Sequence, residues 1–149
     1  MALSSRIDQL YLGQLKEIGP SNTPTGIFKL PCEQPVLLTQ EGLEGDIQVD
    51  RRVHGGPEKA LYQFPAENYA VLQQALAHLN EDFIPGSIGE NISSQTLLDN
   101  QVHIGDTFSI GEALVQVSQP RRPCWKVNHK YGNGHIAVLL MSQGISGWY

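Results

Sequence analysis

Apolar residues in the first third of the chain come in short groups cut by glycine and proline. Leu10 to Leu15, Ile27 to Leu30 and Val36 to Thr39 carry this pattern, and each predicts a strand. Residues 40–59 are dense in glycine and charge and predict loop. The pattern then changes period. Tyr69, Leu72, Leu76 and Leu79 recur at spacings of three and four behind Pro65 and Glu67, which predicts a helix over about 65–80. Residues 83–101 return to loop and strand. Alternation at Val102, Ile104, Phe108 and Ile110, a turn at Gly111-Glu112, and a return through Ala113, Val115 and Val117 predict a hairpin. Helix is expected again over about 124–143, as a short piece from Trp125 to Tyr131 stopped by Gly132 and a second from His135 to Gln143 ended by Gly144.

Many short strands with a few inserted helices predict one mainly β, barrel-like domain over residues 1–149. A doubly wound α/β sheet is not expected, because regular helices do not separate the strands. The 149-residue length suits one domain, and such a domain buries roughly two-thirds of its unfolded surface without needing disulfides. The longest apolar run, Ala137 to Met141, is too short to span a bilayer, and no secretory signal pattern opens the chain. A cytoplasmic location without membrane contact is therefore expected. Cys32 and Cys124 are too few for a disulfide framework and lack metal-finger spacing; in a reducing compartment both should be free thiols.

Net charge is −5, which argues against general nucleic-acid binding. The positions of the cations say more. Arg51, Arg52 and Lys59 fall within 51–59, and Arg121, Arg122, Lys126 and Lys130 fall within 121–130, a segment with no acid. These segments are either two solvated loops or the walls of a pocket for an anionic small molecule.

Cys124 is the centre of the candidate chemistry. It lies between Pro123 and a predicted helix start, beside Arg121, Arg122 and Lys126. Such a setting favours a thiolate, the form that acts as nucleophile and soft-metal ligand. The alternative is a small buried core cysteine. Cys32, at a turn or strand edge between Pro31 and Glu33, reads as structural or incidental. Gly55-Gly56 would let backbone N–H groups approach an anion, with Lys59 adding charge, although a surface loop has the same composition. His54 and Asn91 taken singly read as structural hydrogen-bonding residues. A Cys–His hydrolase built on Cys124 with His54, His129 or His135 has no supporting signature. Zinc on Cys124, His129 and His135 would require irregular spacing across Gly132. Neither a P-loop nor a dinucleotide fingerprint is present.

In combination the motifs are more specific. Gly42-Leu43-Glu44-Gly45-Asp46, His54-Gly55-Gly56, Lys59-Ala60, Pro65 with Glu67 and Tyr69, Pro85-Gly86, Gly89-Glu90-Asn91, Ile104-Gly105-Asp106 and Val117 through Cys124 follow one another in order. Over roughly residues 40–149 this series resembles the MOSC domain, named for the C-terminal region of molybdenum cofactor sulfurase, and especially its small YiiM-like branch. The resemblance implies a MOSC-type β-barrel and a molybdenum cofactor (molybdopterin) with Cys124 as thiolate ligand of the metal. It implies an oxidoreductase that reduces N-hydroxylated small molecules such as hydroxylamino nucleobases. Lys59, Arg121 and Arg122 become candidates for the cofactor phosphate, and Asn91, Ser118 and the Gly55-Gly56 backbone for other cofactor hydrogen bonds. Asp46 and His54 become candidates for positioning substrate or relaying protons. With no flavin or iron–sulfur motif in the sequence, a separate electron-donor protein is expected as partner. Two other functions fit the same motifs: a persulfide carrier using Cys124, and a non-catalytic cofactor-binding domain. YiiM-like proteins continue past the Gly147-Trp148-Tyr149 match, so the C-terminus is expected to be truncated relative to the family. The open sheet edge this would leave predicts a homodimer or lowered stability.

Overall fold

The computed structural model describes residues 2–149. Strand β1 (Arg6–Ile18) and strand β2 (Thr23–Cys32) form a long antiparallel hairpin, extending well beyond the short apolar groups that announced them. The chain reverses between them with Gly19 and Asn22 at positive φ. Pairing shifts register between Gln14 and Lys16, a bulge that bends the hairpin over its neighbours. Gly13 and Gly26 sit where the strands meet the Asp46-Ile47 loop. A Cβ on Gly13 would lie 2.7 Å from the Gly26 carbonyl oxygen and 2.8 Å from that of Ile47, so only glycine admits the approach.

Two-residue strands β3 (Leu38–Thr39) and β4 (Gly42–Leu43) make a small hairpin. Residues 51–54 form a single helical turn, α1 (Arg51–His54), and strand β5 (Gln63–Pro65) follows. Helix α2 (Asn68–Ala75) then covers the sheet, and a 3₁₀ segment prolongs it over Ala77–Asp82. The predicted start at Pro65 is therefore too early. Pro65 closes β5 instead, in parallel register with Ser94 of strand β6 (Ile92–Gln95). Parallel pairing outweighs the local helix preference of proline here, and the next N–H, of Ala66, bonds the Ser94 carbonyl at 2.8 Å. The four-stranded sheet runs β2-β1-β6-β5.

The predicted C-terminal hairpin is present as β7 (Thr107–Ile110) and β8 (Ala113–Gln116), with Phe108 opposite Val115. The helical stretch expected over 124–143 is two helices, α3 (Trp125–Lys130) and α4 (Ile136–Ser142), separated where Gly132 takes a left-handed φ of 59°. The main core lies between the sheet and α2–α4. It contains Tyr62, Phe64, Tyr69, Leu72, Phe83, Ile88, Val127, Ile136 and Leu140. Leu97, Val117 and Trp148 make a smaller cluster under β7–β8.

The fold is mainly β, with sheets and hairpins arranged around these clusters. Among the described residues the strands do not close into a continuous barrel: β3–β4 and β7–β8 are separate two-stranded ladders. The gap is bridged by Gly147-Trp148-Tyr149. Trp148 exchanges hydrogen bonds of 2.9 and 3.1 Å with Gln63. Tyr149 O accepts from Ser118 N and Tyr149 N donates to Gln119 O, both at 2.9 Å. Three residues thus join β5 to the segment that leads into Cys124.

Candidate functional site

The β5-bridging segment, the Asp46–Val49 loop, α1 and the start of β2 converge on one cleft with two connected lobes. Lys29, Asp46, Asn91 and Tyr62 line the inner lobe; Arg52, Arg122 and Trp125 line the outer. His54, Lys59, Arg121, Cys124, Lys126 and Tyr149 face both. Cys124 is half-buried and is the residue from which α3 starts, its own backbone still extended. Both cysteines are free thiols, and Cys32 lies at the far end of β2 against the Gln34 carbonyl.

Arg121 is the most informative side chain. Its guanidinium carbon lies 5.0 Å from the Tyr62 ring centre and 5.4 Å from that of Tyr149. One nitrogen donates to the Tyr149 hydroxyl and stands 3.5 Å from His54 Nδ1. The backbone at Arg121 is fixed by its N–H on the Gly147 carbonyl at 2.9 Å. Among the described residues no carboxylate comes within 4.0 Å of Arg121, nor of Lys59, Arg122 or Lys126. Lys59 Nζ donates to the Val53 carbonyl (2.6 Å) and Lys126 Nζ to that of Pro24 (3.1 Å), which hold the ammonium groups in place without neutralising them. Lys126 is buried, Arg121 and Lys59 are half-buried and Arg122 is exposed, so the cleft gathers four cations without a carboxylate counter-charge, an electrostatic setting that favours an anion.

The cations also set the state of His54. Burial, followed by Arg121, Lys126 and Lys59, pushes its pKa down to about 4. At neutral pH the imidazole is uncharged and can accept a hydrogen bond from Arg121. Burial raises the pKa of the Tyr149 phenol, so that hydroxyl keeps its proton and can donate into the cleft.

At the floor, Lys29 and Asp46 form a buried ion pair at 2.7 Å. Asp46 also accepts the Gly13 N–H at 2.6 Å and the Asn91 amide at 3.0 Å. Burial lowers the Lys29 pKa, and Asp46 opposes that shift. The Asn91 amide oxygen accepts the Tyr62 N–H at 3.1 Å, and its nitrogen also donates to the Tyr11 carbonyl at 3.2 Å. Asp46 and Asn91 thus line the cleft while holding Lys29, β1 and Tyr62 in position.

The structure brings together Cys124, His54, Lys59, Arg121, Asp46 and Asn91 from the sequence-derived candidates, and puts Arg122 at the outer lobe alone. It does not bring in Gly55, Gly56 or Ser118. Gly55 packs behind α1 on Gln48 and Arg51, and Gly56 turns the chain away at φ 88°. Ser118 donates to the Glu58 carbonyl at 2.5 Å and faces a separate apolar groove. Lys29, Lys126, Tyr62 and Tyr149 complete the site without having been singled out as site residues. Lys29 had a readable signal: it shares a strand face with Ile27, two residues away, so a charge stands where an inward side chain is expected.

A strand-rich scaffold thus presents a cysteine in a cation-lined cleft. The chain belongs to the MOSC domain family, whose model matches residues 50–149. It is 40% identical over 139 residues to protein YiiM of Escherichia coli K12, covering 93% of this chain and 62% of that protein. The crystal structure of YiiM from Escherichia coli superposes with a TM-score of 0.78 at 32% identity over 99% of this chain and 61% of the other. A protein of Gibberella moniliformis named Reductase is 29% identical over 143 residues, covering 94% of this chain and 25% of that protein. The chain therefore spans about three-fifths of YiiM's length. Among the described residues, no helix is long and apolar enough to cross a membrane.

Proposed function

We propose that this chain is the cofactor-binding part of a molybdenum-dependent oxidoreductase that reduces N-hydroxylated small molecules, with Cys124 as the thiolate ligand of the metal. The observation that carries the reading is the pairing, in one cleft, of the Cys124 thiol with the half-buried, carboxylate-free guanidinium of Arg121. Among the described residues, no three His, Cys, Asp or Glu side chains gather to hold a bare ion. That donor set fits a metal whose other ligands come from a pterin dithiolene, for which a single protein thiolate suffices. Arg121 and Lys59 match the cofactor's phosphate, and the Tyr149 hydroxyl supplies a further donor.

Reduction of an N-hydroxyl group breaks the N–O bond, takes up two electrons and two protons, and releases the amine and water. The bound molybdenum cofactor would supply the two-electron chemistry, recharged by a separate electron-donor protein. The chain's own residues bind and orient. Uncharged His54 accepts from Arg121 and holds that guanidinium toward the cleft. Asp46 holds the Lys29 ammonium at the floor of the inner lobe, where it is one of the proton-bearing groups lining the cleft.

The test is molybdenum and pterin content of protein made in cells with an intact cofactor pathway, wild type beside Cys124→Ala. Wild type should carry both, and the variant should lose molybdenum while keeping its circular dichroism spectrum. Metal-free wild type, or a variant that retains molybdenum, would overturn the assignment.

A further inference from the structure

Away from the cleft, the end of α3 sets an amine among aromatic rings. Lys130 closes the helix, half-buried, with Nζ 5.3 Å from the Phe28 ring centre and 5.7 Å from that of Tyr131. Tyr131 is itself fixed, by its hydroxyl on Ser87 Oγ at 2.7 Å and by the Phe83 ring at 4.7 Å between centres. Lys130 Nζ donates to the Ser87 carbonyl. Lys16, on β1, brings a second ammonium to the same Phe28 ring, 5.0 Å from its centre. Among the described residues no carboxylate lies within 4.0 Å of either amine. Glu90, in the loop before β6, is fully buried, and its carboxyl accepts from Tyr69 at 2.6 Å and from Gly86 at 2.7 Å. Two cations thus share one ring, and the more enclosed of them is the one that sheds its proton more easily. Burial lowers the Lys130 pKa to about 8, with Lys16 and Lys29 acting in the same direction and Glu90 against it.

We propose that Lys130 is a carbon dioxide acceptor, its amine adding CO2 to form a carbamate whose negative charge is compensated by Lys16. The neutral Nζ lone pair forms the N–C bond, one C–O π bond of CO2 opens to give the carboxylate, and one amine proton leaves to solvent. No electrons pass to or from another reagent. The N–H that remains keeps the bond to the Ser87 carbonyl. At pH 8 about half of an amine with a pKa near 8 is free to react, against under about 1% at the usual value for lysine. Carbon dioxide suits the site better than a bulky acyl donor, because it is small and its product turns a like-charge pair into an opposite-charge one. Lys29, whose basicity burial also lowers, is excluded by its partner: a carbamate there would set an anion against Asp46, 2.7 Å away. The reaction needs neither Cys124 nor a bound cofactor.

Triethyloxonium converts a carbamate into a stable ethyl ester that survives digestion, so peptide mass spectrometry under isotope-labelled carbon dioxide reads the site directly. At pH 8 the ester should appear on the peptide that carries Lys130, at least about tenfold above its level on the same peptide of urea-unfolded protein. At a fixed CO2 pressure the yield should drop more than about tenfold at pH 6.5, because the protonated amine has no lone pair. Lys130→Arg should abolish the label at that position, and Lys16→Gln should lower the wild-type yield several-fold by removing the compensating charge. The comparison with unfolded protein needs no variant, so it stands if a substitution fails to fold. A label no stronger in folded than in unfolded protein would overturn the proposal. So would an undiminished yield in Lys16→Gln, or labelling of Lys29 in preference to Lys130.

Discussion

Arg121 Nη1 stands 3.5 Å from His54 Nδ1, close enough that the imidazole can accept from the guanidinium only while it is uncharged. Burial and the surrounding cations keep it so, with a pKa of about 4 against an ordinary 6.5. The sign of the pH effect follows. In the unfolded chain His54 takes a proton near pH 6.5, and in the folded protein not until about pH 4. The unfolded state binds more protons inside that window, so His54 weakens folding as pH falls through it and adds nothing further below. Denaturant midpoints measured across the window should slope less steeply with pH in His54→Gln than in wild type. An unchanged slope would show that His54 is not held neutral.

The Lys29–Asp46 pair carries a different expectation. Asp46→Asn leaves a buried ammonium without its counter-charge and sets the new amide against that of Asn91. Stability should drop by about 3–5 kcal/mol. Adding Lys29→Met should recover much of that loss, because the second variant removes the stranded charge. Urea unfolding of the two singles and the double gives the coupling directly; simple additivity would deny the pairing its role.

Arg121→Met should act in opposite directions on the two states of the cleft. Without a ligand, replacing a half-buried cation that has no carboxylate partner should be neutral or stabilising, by up to about 1 kcal/mol. Inorganic phosphate should raise the thermal midpoint of wild type, and that rise should disappear in the variant. Calorimetry with and without phosphate reads both effects, and a phosphate shift that persists would move the anion site elsewhere.

Gly86 tests how the loop before β6 is held. Its φ is +90°, and a Cβ there would lie 2.6 Å from ring carbons of Tyr11. Its N–H also donates to buried Glu90 at 2.7 Å. Gly86→Ala should cost about 2–3 kcal/mol, from left-handed strain together with displacement of the Tyr11 ring. An alanine variant as stable as wild type in urea would mean the loop can shift freely.

These particulars show what the amino-acid sequence made legible. Tyr69 and Leu72 are fully buried on α2 as their spacing required, and Phe108 faces Val115 across the predicted hairpin. Cys124 and Arg121 are neighbours in sequence, so local chemistry was enough to associate them. Partners distant in sequence were not legible. Lys29 and Asp46 meet only because the β1–β2 hairpin bends over the Asp46 loop, and Tyr149 reaches Arg121 only through the three-residue bridge to β5. Ser118 hydrogen-bonds the Glu58 carbonyl across a gap of sixty residues, a contact that local sequence does not announce. The gap in the barrel was equally invisible, since pattern predicts strands but not which ladders join.

The uncompensated guanidinium at the centre of the cleft also makes occupancy a matter of survival time. Any anion that binds the folded chain and not the unfolded one raises the free energy of opening in proportion to the logarithm of its concentration over its dissociation constant. Vacant molecules therefore open first when warmed or met by a protease, and a mixed population exposed to either grows richer in filled ones.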